Sequence, residues 1–279
     1  MYKFLRTGNF CQANIPLLLK KKRKLETLNK QEIINYVLDN PSYFDFMPQE
    51  IQGRLNTSEE LTIPQIQRKI IEEVYEPLTQ AEIEKITPAT QKAESELYQI
   101  LHKVGINIHK PMQWVIIKSK NGFNWNTCYT QGSVIILSQS RIDGDDNLAQ
   151  VLAHEMIHIY QRRYPKLFRK FYKEKMNFTD FKPTEKQLES IDELGIDKVY
   201  VENPDNCHLG LMVYKDKYLP ITIILPNERQ PTNTVLELTE DKVIWDKEKK
   251  QQMNAYDKVR LDQPNEMFAY MVTKNINYE

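Results

Sequence analysis

The string His154-Glu155-Met156-Ile157-His158 constrains this chain more than any other feature. Histidines four residues apart share a face when the backbone between them is helical, so the string predicts a helix whose imidazoles project together. Such a pair suits a zinc ion, and a third protein ligand would still leave one position for water or substrate. Glu155 stands beside the pair, placed to take a proton from a metal-activated water. Five histidines in 279 residues make the pattern rare by accident. Leu148, Val151, Leu152, Ile157 and Ile159 supply apolar surface around the polar stripe.

The flanking residues agree with a helix there. Asp143-Gly144-Asp145-Asp146 supplies an N-terminal cap, residues 147–163 carry the helical pattern, and Pro165 stops it. A second amphipathic helix follows over about 166–176. Upstream, Trp114-Val115-Ile116-Ile117 and Val134-Ile135-Ile136-Leu137 are β-branched runs, set apart by Lys120-Asn121-Gly122 and Gln131-Gly132. They predict two or three strands of a small sheet.

Before residue 105 the pattern is helical and polar. Ile33, Ile34, Val37 and Leu38 share a helix face. Thr62 reads as an N-cap with Pro64 in the first turn, Pro77 closes that helix, and another helix over about 90–103 stops at Gly105. Between 197 and 246 the residues alternate again as strands, and a helix over 264–274 follows. The expected fold is therefore α+β. A basic tail occupies 1–27, and residues 28–110 form a helical lobe or a prosegment-like cover. Residues 111–279 form a sheet-and-helix domain with a β-rich insertion at about 195–247.

Composition narrows the partners. Thirty-eight basic residues balance 38 acidic ones, so no global field favours nucleic acid, an acidic partner or a membrane surface. Three widely spaced cysteines, Cys11, Cys128 and Cys207, form no disulfide framework, which predicts an intracellular setting, cytoplasmic or nuclear, with a mitochondrial one left open. The longest apolar runs are too short to span a bilayer. The run Lys20-Lys21-Lys22-Arg23-Lys24 reads as a solvated basic tail, a nuclear address or a nucleic-acid contact.

The stretch from Val151 to Arg163 resembles the active-site helix of the zincin metallopeptidases. SprT-like proteases carry a similar string with a third histidine close behind it, whereas here no histidine lies between His158 and His208. In the gluzincin branch the third ligand is a glutamate on a later helix, and Pro264-Asn265-Glu266-Met267-Phe268-Ala269-Tyr270 is similar to that signature. The resemblance implies a zincin-like domain in which His154, His158 and Glu266 hold Zn2+. Glu155 would be the general base, and Ala269 would let two helices approach closely. It also implies that an edge strand near Asn124–Tyr129 or Val134–Ser138 receives an extended peptide. His208 is left as a rival ligand, an oxyanion donor or a structural residue, and Tyr200, Tyr214 and Tyr218 are open as donors too. The activity implied is zinc-dependent hydrolysis of peptide bonds in a peptide or protein. Two other readings stand beside it. One is a protease of nucleic-acid-bound proteins anchored through Lys20–Lys24, and the other a non-catalytic zinc-binding module, in which Glu155 would have no task.

Overall fold

The β-branched runs form strands, and both of their faces are buried. The computed structural model describes residues 25–39, 61–108, 112–121, 123, 127–144, 147–194, 198–200, 212–224, 232–245 and 263–273. The first elements are β1 (Glu26–Thr27), α1 (Lys30–Asp39), α2 (Ile63–Glu73), β2 (Tyr75–Glu76), α3 (Gln80–Lys103), β3 (Val115–Ser119), β4 (Tyr129–Gln131) and β5 (Val134–Ser138). Next come α4 (Gln139–Gly144), α5 (Leu148–Arg163), α6 (Pro165–Lys175), β6 (Phe178–Asp180) and α7 (Glu185–Glu193). Strands β7 (Lys198–Tyr200), β8 (Met212–Tyr214), β9 (Tyr218–Ile224), β10 (Thr232–Leu238) and β11 (Val243–Ile244) precede α8 (Pro264–Thr273). The architecture is α+β.

The first sheet runs β1-β3-β5-β4, with β3 parallel to both β1 and β5 and β4 antiparallel to β5. Strand β1 pairs with Val115 and Ile116, and β2 with Lys118 and Ser119, so the two line up along one side of β3. Alternate side chains of a strand point to opposite faces. Accordingly Ile116, Ile135 and Leu137 enter one core, with residues of α3, α5, α6 and α8. Ile117, Val134 and Ile136 enter another, with Ile33 of α1 and Ile66 and Ile70 of α2. A sheet covered on both sides needs apolar residues at every position, which is why these runs read as continuous rather than alternating. The helices of residues 30–103 thus share their cores with the sheet, and the lobe expected at 28–110 is built onto it.

Helix α3 is the clearest departure from the sequence expectation, which began it after Pro88. It starts at Gln80 instead, behind a capping box. Thr79 Oγ1 accepts from the Glu82 amide, and the Glu82 carboxylate accepts from the Thr79 amide at 2.7 Å. An interior proline costs roughly 3 kcal/mol. Burying each large apolar side chain returns roughly 1.5–3 kcal/mol, and Ile86, Leu97 and Leu101 are all at or below 1% exposure. Packing wins, and the helix runs through. Gly105, at φ 83°, ends it as expected, with the Ile106 amide reaching back to Leu101 O at 2.8 Å.

The second sheet, β11-β10-β9-β8-β6 with β7 paired to β9, is antiparallel throughout. It begins at Phe178, before the expected insertion. Its own small core holds Val213, Leu219, Ile221, Leu236, Leu238 and Val243, with Ile191 of α7 packed against it. Phe178 and Met212 belong to the main core instead and tie the two sheets together.

Candidate metal centre

Helix α5 lies against α3, α8 and the sheet, so most of its circumference is buried. His154 and His158 project from one face, their Nε2 atoms 3.0 Å apart. Glu266, in the first turn of α8, brings Oε2 to 3.4 Å from His154 Nε2 and Oε1 to 3.3 Å from His158 Nε2. The three residues that the family resemblance implied as ligands therefore converge, across more than a hundred residues of chain. A tetrahedral zinc with bonds of ~2.0–2.1 Å places its ligand atoms roughly 3.3–3.4 Å apart, the separation of each imidazole Nε2 from one Glu266 oxygen, so the two imidazoles and the carboxylate fit the ion.

The convergence rests on the packing of α8. Pro264 opens the helix, where its missing amide hydrogen costs nothing. Phe268 inserts edge-on against Phe168 and Phe171 of α6, at centroid separations of 5.4 and 5.2 Å. Ala269 is fully buried in the core shared with α5, the small residue expected where two helices approach. Tyr270, one turn after Glu266, lays its ring against His154 at 4.7 Å between centroids and is half exposed.

The electrostatics favour a metal-ready state. Burial pushes His158 down to about 4, against the opposing pull of the Glu266 carboxylate. The ring is then neutral at pH 7, the form that binds a metal. The depressed value also makes a prediction for the metal-free protein. Below about pH 6.5 the unfolded chain takes up a proton at this histidine, whereas the folded chain does so only near 4. Stability is thus full above 6.5 and falls by about 3 kcal/mol as the pH drops to about 4. Urea denaturation of metal-free protein at pH 7 and at about pH 5 should show a lower midpoint at the acidic end, and equal midpoints would contradict it.

Glu155 is buried at 5% exposure. Its negative charge reaches Cys128, the residue before β4, whose thiol is pushed up to about 12 by burial first and by Glu155 second. A thiol so held is neither a nucleophile nor a thiolate ligand at neutral pH. Helix α5 packs on β4, which ends the β1-β3-β5-β4 order of the first sheet among the described residues. Strand β5 pairs with β3 on one side and with β4 on the other. Arg162 of α5 donates to Gly132 O at 2.7 Å and fixes the hairpin turn to the same helix.

Other expected residues fall elsewhere. His208, His109, Cys11, Cys207 and the Lys20–Lys24 run lie outside the described residues. His102 is exposed in the last turn of α3. Tyr214 stands in the second sheet, packed on Phe178 at 5.3 Å, and Tyr218 lies in the adjoining strand. Sequence reasoning passed over Gln161, which meets His158 Nδ1 at 2.8 Å, and also Tyr270. Their helical offsets, three residues beyond His158 and four beyond Glu266, were the available signal.

Among the described residues no helix is long and apolar enough to cross a membrane. No protein-family model matches this chain, and neither a curated protein nor a solved structure matches it.

Proposed function

We propose that this chain is a zinc-dependent peptidase of zincin type, related in its ligand pattern to the gluzincins. One observation carries the reading. His154, His158 and Glu266 converge as a three-ligand set beside a buried Glu155 on the helix that supplies both histidines. A purely structural zinc site uses four protein ligands and has no need of a base.

Zinc held by those three residues would supply a Lewis acid, lowering the pKa of a water towards ~7 and polarising a carbonyl. The chain's own groups do the rest. Glu155 takes the proton of the attacking water and hands it to the departing amine nitrogen. By its resemblance to the zincins, the chain would receive an extended peptide alongside the hairpin of β4 and β5. Tyr270, exposed against His154, stands at the one ligand that is partly open to solvent.

Purified protein should carry about one zinc per chain after mild dialysis, as a three-ligand site with one water binds firmly. Elemental analysis measures it, together with hydrolysis of a mixed fluorogenic peptide set. Metal well below one equivalent that added zinc does not restore would rule the catalytic reading out.

A further inference from the structure

Behind His158 lies a closed set of buried hydrogen bonds that peptide hydrolysis as outlined does not use. Gln161 Nε2 donates to the backbone oxygen of Asn265 at 3.0 Å and to the Tyr172 hydroxyl at 3.0 Å. Tyr172 in turn donates to Asn265 Oδ1 at 2.6 Å. Gln161, Tyr172 and Asn265 are at 1%, 0% and 3% exposure. Burial holds the Tyr172 hydroxyl well above its usual range, so it keeps its proton and its role as donor.

These bonds fix an orientation that would otherwise be ambiguous. A backbone carbonyl only accepts, so the Gln161 atom facing Asn265 O is the amide nitrogen. Gln161 Oε1 must then be the atom facing His158 Nδ1 at 2.8 Å, and it needs a donor there. The neutral His158 ring therefore carries its hydrogen on Nδ1 and presents a bare Nε2 to His154 and Glu266. The same glutamine, from the last turn of α5, holds the first turn of α8, where Asn265 immediately precedes Glu266. Orientation of one ligand and placement of another meet in a single side chain.

We propose that Gln161, Tyr172 and Asn265 are positioning residues that lock His158 in the Nδ1–H tautomer and clamp α8 to α5, so that Glu266 meets the histidine pair. The inference rests on the reading of His154, His158 and Glu266 as a metal site. Partners of this kind are typically worth about 10–100-fold in metal affinity.

Two readouts test it without any activity assay. Long-range proton–nitrogen spectra of metal-free protein near pH 7 report the His158 tautomer, and competition with a chelator reports zinc affinity. The wild type should show the Nδ1–H tautomer. Gln161→Leu should lose that preference and bind zinc about 10–100-fold more weakly. Gln161→Glu keeps an acceptor for Nδ1–H, so it should restore the tautomer, with affinity recovering only in part because Asn265 O loses its donor. A folded Gln161→Leu protein with the Nδ1–H tautomer and wild-type affinity would overturn the proposal. Should that variant not fold, Tyr172→Phe, which keeps the buried ring, and Gln161→Glu decide it: unchanged zinc affinity in both is the overturning result. A wild type that binds no zinc defeats the peptidase reading, while the tautomer spectra still judge the positioning role.

Discussion

Replacing Glu155 with glutamine should lower peptide hydrolysis by about 10²–10⁴-fold, the usual worth of a positioned acid–base group, and leave bound zinc at the wild-type level. The change swaps one carboxylate oxygen for an amide of nearly the same shape at a buried position. It removes none of the proposed ligands, because His154, His158 and Glu266 are untouched. Rate and metal content should therefore separate. Measuring both on one preparation is the decisive form of the experiment. Zinc lost in parallel with activity would mean that Glu155 supports the site structurally, and activity retained would mean that another group accepts the proton.

The opposite pattern is expected for Glu266→Ala. Its two oxygens sit 3.3 and 3.4 Å from the histidine nitrogens, so the substitution deletes the proposed third ligand. Zinc affinity should fall by more than ~100-fold, beyond what is typical of residues that merely orient a ligand. Hydrolysis at fixed zinc should fall with it, and excess zinc should restore part of the loss. Such rescue is the signature of weakened binding rather than lost chemistry. If affinity survives, the third ligand lies elsewhere in the chain, and His208 is the first residue to replace.

Much of this cluster is legible in the sequence because its parts are local. The string from His154 to His158 needs only a helix to bring its imidazoles together, and the apolar residues around it predict that helix. Glu266 was legible only by resemblance, since nothing in its own surroundings distinguishes it from a solvated helix glutamate. Gln161 and Tyr172 were invisible for a related reason. Their role depends on Asn265, 104 and 93 residues away, and no local pattern encodes that meeting. In the fold, the long β-branched strands were read correctly, whereas β1 and β2 were missed. Each is two residues long, too short to show any period, and each exists because β3 offers it a partner. Helix α3 begins about ten residues before the expected residue 90, at the capping box of Thr79, and its buried apolar face carries it past Pro88. Helix α7 was missed altogether, a nine-residue segment whose polar composition resembles a loop.

The lining-up of β1 and β2 along one side of β3 has a consequence for how the molecule reaches its native state. Residue 26 must find residue 115, and residue 75 must find residue 119, before the sheet is complete. Tyr36 must reach across to the β4–β5 turn at Gln131. Contacts of such sequence separation make folding slow, because the intervening chain loses its freedom before the contact repays it. They also leave the first sheet dependent on residues before 111. A fragment starting near residue 111, the boundary that the sequence pattern suggests, would have β3 with a bare edge and Ile117, Val134 and Ile136 without α1 and α2 above them. An exposed strand edge beside an apolar face is a template for association between copies. The helices before residue 104 therefore share the packing that brings His154, His158 and Glu266 together, although none of them contributes a residue to that cluster.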